Sequence, residues 1–104
     1  MDAEITDLTF TKEGRKIILS WQIKNKTAHG IVAVLCSADG NEFNHLYVED
    51  IPAGNETQTR TYVDTTGGCG TFYKVKFLPL EEPYHACEKI LNINGTTATG
   101  EGGQ

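Results

Sequence analysis

Alternation of apolar and polar residues with a period of two runs through most of the chain and predicts strands that each bury one face. In "KIILSWQI", Ile17, Leu19, Trp21 and Ile23 fall on one side, with Lys16, Ile18, Ser20 and Gln22 on the other. Trp21 is the chain's single tryptophan and the expected anchor of its core. "ITDLTF" sets Leu8 and Phe10 on one face, and "TKEGRK" follows as a turn in which Gly14 can take positive φ, giving a first hairpin. "TFYKVKFL" groups Tyr73, Val75 and Phe77, while "TQTRTYV" is threonine-rich and of high strand propensity. With "IVAVLC", the run from Phe43 through Leu46 to Val48, and "YHACEKILNI", the pattern predicts seven strands and no amphipathic helix of useful length.

"IVAVLC" breaks the rule of one buried face. Val32, Val34 and Cys36 lie on one side and Ile31, Ala33 and Leu35 on the other, so both sides are apolar. Such a strand is central in its sheet or has its outer face covered. Ile31, Ala33 and Leu35 are therefore the candidate partner surface, unless the connection "PLEEPYHA" drapes Leu80 or Tyr84 across them. "SADGNEF" follows, and its Asp39-Gly40 pair predicts a hairpin turn, since primed turns need positive φ that Gly and Asp tolerate. Phe43 is then expected to anchor the returning strand in the core.

A chain of 104 residues fits one domain, here a β-sandwich over residues 1–94. From Gly95 onward, "GTTATGEGGQ" holds no large apolar residue and reads as a flexible tail or linker over residues 95–104. The formal net charge of −5, with no basic run, would repel phosphate backbones and anionic lipid, so nucleic acid is not an expected partner. No run of eighteen apolar residues is present, and no membrane insertion is expected. A domain cut from a longer secreted chain would read the same way, which leaves an extracellular or cell-surface location open.

Cys36, Cys69 and Cys87 make an odd count without C-x-x-C spacing, so no zinc site is predicted and at most one internal bridge can form. Asn-x-Thr sequons stand at Asn25, Asn55 and Asn94 as candidate N-glycosylation sites, although the turn preference of asparagine explains them equally well.

"KIILSWQI", "SADGNEFNHL" and "YVDTTGGCGTFYKVKF" resemble the strand-B tryptophan, the S-x-D-G-x-x-F turn and the Tyr, Asp and Y-x-V pattern of fibronectin type III-like domains. The resemblance spans roughly residues 5–93 and is to the divergent, immunoglobulin-like variant of bacterial secreted or surface proteins. It implies an all-β fold, a seven-stranded antiparallel two-sheet sandwich. It also implies a noncatalytic module that acts through protein partners or neighbouring domains as a spacer or assembly subunit. The alternative is a carbohydrate-binding or adhesive module with a glycan ligand. In such a domain the end of strand C lies near the start of strand F, which would bring Cys36 toward Cys69 and leave Cys87 at the opposite end.

Other candidate chemistry is sparse. Asp39, Asn41 and Glu42 offer three oxygen-bearing side chains to calcium, but the twelve-residue loop with a final bidentate Glu is missing, so no metal or other cofactor is expected. His29, His45 and His85 could face Asp50 or Asp64 and Ser20 or Ser37, yet no nucleophile sits in a G-x-S-x-G elbow, and no catalytic residue is assigned. Cys69 in "GGCG" has no basic neighbour to generate a thiolate. Tyr47, Tyr62, Phe72 and Tyr84 fall off the main core parity and are candidate contact aromatics.

Overall fold

The structure is a computed structural model and describes residues 3–25, 29–54, 56–65, 70–80 and 86–93. Seven strands, β1 (Ala3–Glu13), β2 (Lys16–Asn25), β3 (Gly30–Ser37), β4 (Asn44–Ile51), β5 (Gln58–Asp64), β6 (Phe72–Pro79) and β7 (Cys87–Asn92), make up the fold, and no helix occurs among the described residues. They form two antiparallel sheets, β1-β2-β5 and β4-β3-β6-β7. The tail at residues 95–104 and the sequons at Asn55 and Asn94 lie outside the described residues; Asn25 ends β2.

One core joins the inner faces of the two sheets. Ile17, Leu19, Trp21 and Ile23 from β2 meet Val32, Val34, Cys36, Tyr73, Val75 and Phe77 from β3 and β6, all of them buried. The alternation in "KIILSWQI" and "TFYKVKFL" thus positions the side chains it predicts, with Trp21 at 0% exposure. β3 is central, between β4 and β6, which is why it can be apolar on both faces.

Strand β1 departs from simple alternation. Ile5 and Leu8 are both buried although they have opposite parity, because two residues, Asp7 and Leu8, oppose Trp21 at a bulge between Thr6 and Thr9. Asp7 takes φ of 56° there, the left-handed region that Asp tolerates better than most residues. Phe10, expected beside Leu8, is only half-buried at the edge of the core. The β1–β2 hairpin closes through Gly14-Arg15 with Gly14 at φ 63° as the one left-handed residue, which matches a type II′ turn.

The β3–β4 connection also differs from expectation. Asp39-Gly40 does not make a two-residue primed turn; the strands are joined by the six residues 38–43, with Gly40 at φ 83° under the Phe72 ring. Phe43 does not enter the core. It is half-buried, and the Lys74 ammonium lies 4.2 Å from its ring centroid, a cation–π contact.

Candidate functional site

The loop 38–43 is built around two side chains. Asp39 Oδ1 accepts the backbone N–H of Asn41 at 2.8 Å and of Glu42 at 3.0 Å, and the Ser37 hydroxyl donates to it at 2.9 Å. Ser37 Oγ in turn accepts the N–H of Gly40 at 2.8 Å and of Asp39 at 3.2 Å. The bonds from Asn41 and Glu42, then that from Ser37, hold the Asp39 carboxyl below its ordinary pKa. The loop thus uses this carboxylate to satisfy its own backbone donors, the role in which Asp and Ser recur in turns. Among the described residues no group of three His, Cys, Asp or Glu side chains could hold a metal ion.

On the outer face of the four-stranded sheet, Ala33 and Leu35 are buried at 2% and 7% exposure, and Ile31 is half-buried. Register explains much of this cover: Ala33 stands between Lys76 and Val48, and Leu35 between Lys74 and His45. The long aliphatic stems of Lys74 and Lys76 can lie along apolar neighbours while their ammonium groups stay in water. Lys74 is fixed further by Glu88 at 3.6 Å.

The side of the sandwich where β4 and β5 form the two edges carries an arrangement that the sequence did not announce. Tyr47 from β4 stacks on Tyr62 from β5, with ring centroids 5.0 Å apart and planes 25° off parallel. Next to this pair Arg60 Nη1 lies 3.1 Å from Glu49 Oε2, and Arg60 Nη2 donates to Gln58 Oε1 at 2.6 Å. A hydrogen bond to Glu49 and its charge raise the pKa of the Tyr47 hydroxyl; burial, then the charge of Asp64, raise that of Tyr62. Beneath this seam two donors, Trp21 Nε1 and Arg60 Nε, are buried without a partner, and their residues face each other across the β2–β5 ladder. The parity of β5, with Gln58, Arg60, Tyr62 and Asp64 all facing inward, was the signal available for this seam.

At the far end of β5, Asp64 is buried and accepts the Tyr73 hydroxyl at 2.6 Å, linking the two sheets through the core. Elsewhere Glu4, Thr6, Gln22, Lys24 and Thr57 line a polar groove of about 180 Å³ at one end of the three-stranded sheet. Phe72 is half-buried at the start of β6, and Tyr84 lies outside the described residues.

Cys36 is disulfide-bonded and Cys87 is a free thiol, while Cys69 lies outside the described residues. Burial raises the pKa of the Cys87 thiol, which keeps it protonated and poorly nucleophilic. Among the expected histidines, His29 and His45 are exposed and His85 is outside the described residues. Asp64, one of the carboxylates considered for a triad, is paired with Tyr73 instead. No family model, curated protein or solved structure gives a significant match to the chain.

Proposed function

We propose that the chain is a noncatalytic fibronectin type III-like module, a spacer or assembly subunit that works through protein–protein contacts at the cell surface or outside the cell. The observation that carries this reading is the strand order. β4 pairs with β3 rather than with β5, so the first sheet keeps three strands and the second gains a fourth. In a constant-type immunoglobulin domain the fourth strand joins the first sheet instead, so the order favours the fibronectin-like side of the resemblance. The tryptophan, the Ser37-Asp39-Gly40 loop and the Tyr73-x-Val75 strand that carry the resemblance occupy places where they hold this order together.

Chemistry-bearing side chains also support an architectural role. Asp39 is spent on its loop, Asp64 on Tyr73, and Arg60 on Glu49 and Gln58. The reading is tested by lysine cross-linking of the native protein on intact cells, together with a glycan array probed with the purified chain. Cross-links to a second protein or a neighbouring domain, with an unresponsive array, are expected. Saturable glycan binding with no protein cross-links would overturn the reading in favour of the carbohydrate-binding alternative.

A further inference from the structure

The described residues expose four large apolar side chains, Tyr47, Val48, Val63 and Leu80, and three of these stand on β4 and β5. Those two strands are sheet edges on the same side of the sandwich, bridged by the Tyr47–Tyr62 stack and the Arg60–Glu49 pair. On the opposite side β1 packs against β7, so the two remaining edges shield each other. The side with β4 is where exposed apolar surface and free strand edge coincide.

We propose that the outward edge of β4 is a strand-addition site for an extended, positively charged segment of a partner protein. An unpaired edge presents a row of N–H and C=O groups, and main-chain pairing to such a row is a recurring mode of peptide recognition. Among the described residues no backbone–backbone hydrogen bond beyond the ladder to β3 reaches Asn44–Ile51. The register shift between Val34 and Leu35 leaves Tyr47–Ile51 as the regular part of the strand, and an added segment would pair there. Tyr47 and Val48 point to opposite faces of that stretch, so an alternating segment would meet an apolar neighbour on each.

Charge selects the occupant. β4 carries an exposed Asp50 and Glu49, the charge of Glu49 being offset by Arg60; the preceding loop carries Asp39 and Glu42, and the whole chain is at −5. A cationic segment is attracted to this edge, whereas a second copy of the chain would bring the same acidic groups against themselves. Acidic residues and the bulge are the devices by which an edge repels casual pairing, and a basic partner turns the first of them into attraction.

The inference rests on the protein-contact reading, and its test is independent of the glycan array. The ¹⁵N-labelled chain of 104 residues is titrated with a capped octapeptide of alternating Lys and Val, with its Glu/Val counterpart, and with the Lys/Val peptide N-methylated at alternate amides. The Lys/Val peptide is expected to shift the amides of Tyr47–Ile51 and slow their hydrogen exchange. It should bind roughly tenfold more tightly than the Glu/Val peptide at low salt, with the difference shrinking as salt screens it. N-methylation should abolish binding, and Val48→Lys and Asp50→Lys should weaken it while leaving Tm unchanged. No response, or shifts confined to another surface, overturns the inference. Protection of β4 that grows with protein concentration in the absence of peptide also overturns it, in favour of a second copy. Native cross-links to other surfaces alongside an inert peptide would remove this inference and leave the proposed function standing.

Discussion

Tyr73→Phe removes one oxygen and leaves the ring in place, so it isolates the bond that ties the two sheets together through the core. The Tyr73 hydroxyl donates to Asp64 Oδ2 at 2.6 Å, and the two residues are 0% and 1% exposed. Asp64 ends β5 in the three-stranded sheet, where it faces Ile17, and Tyr73 lies near the start of β6 in the other sheet, where it faces Cys36. Neither group can exchange its partner for bulk water without opening the core. A hydrogen bond to a charged group contributes about 1.5 to 3 kcal/mol. For a domain of this size a loss near 2 kcal/mol lowers Tm by on the order of 10 °C. The assay is urea denaturation with a parallel thermal scan of wild type, Tyr73→Phe, Asp64→Ala and the double variant. Tyr62→Phe serves as a control and should stay within about 0.5 kcal/mol of wild type. The cycle should show that Tyr73→Phe costs far less once Asp64 is absent. A Tyr73→Phe variant as stable as the wild type would refute the argument that this bond locks the sheets.

The other expectations come from single sites. Trp21→Ala should cost about 3 to 5 kcal/mol through the cavity it opens, and wild-type indole emission should be blue-shifted and closed to quencher; red-shifted, quenchable emission would contradict the packing of Trp21. Because the folded-state pKa of Asp39 lies below its ordinary value of 3.8, its contribution to stability is present above that value and is lost as pH falls through the depressed folded one. Carboxyl NMR should place that titration below the ordinary range, millimolar calcium should leave Tm unchanged, and a calcium-dependent rise abolished by Asp39→Ala would contradict the loop's role. Peptide mapping under non-reducing conditions should recover Cys36 joined to Cys69, with Cys87 alkylated only slowly until the fold is opened. Leu35→Lys places a charge where exposure is 7% and should lower Tm; unchanged stability with lost association would return that face to a partner.

What could be read from the sequence was what depends on alternation alone. The inner faces of β2, β3 and β6 follow the period of two without interruption, and every core residue expected from them is buried. Where one extra residue enters a strand, parity fails: the bulge at Asp7 lets Ile5 and Leu8 share the core, and the register shift before Tyr47 leaves Val48 among the most exposed apolar residues. A bulge has no hydrophobic signature of its own, so the pattern on either side does not reveal it. The loop at Asp39 departs from the expected turn for a related reason. Asp-Gly signals a tight turn, but here the preceding Ser37 shares the backbone donors with Asp39, and together they stabilise a wider loop. The β4–β5 seam pairs residues far apart in sequence, Tyr47 with Tyr62 and Glu49 with Arg60, and only the approach of two edges brings them together.

Stability and the proposed partner contact therefore fall on different parts of this molecule. The inner faces supply the core, and the outer face of the larger sheet is occupied by Ala33 and Leu35 under flanking lysines, with Lys74 held between Phe43 and Glu88. The outer face of the smaller sheet is lined mostly by Thr9, Thr11, Ser20, Gln22, Thr59 and Thr61, polar groups that water satisfies at little cost, with Ile18 and Val63 paired among them. Three of the four exposed large apolar side chains, Tyr47, Val48 and Val63, stand on the edge strands β4 and β5, where the sheets end. The side chains that close the seam, Glu49, Arg60, Tyr62 and the still exposed Tyr47, meet across the gap between the two edges. Val48 and Asp50 face away from it, so they can change without disturbing the fold. A surface whose outward residues are uncoupled from the core can vary with its partner while the sandwich stays the same, which is the separation a module acting through contacts requires.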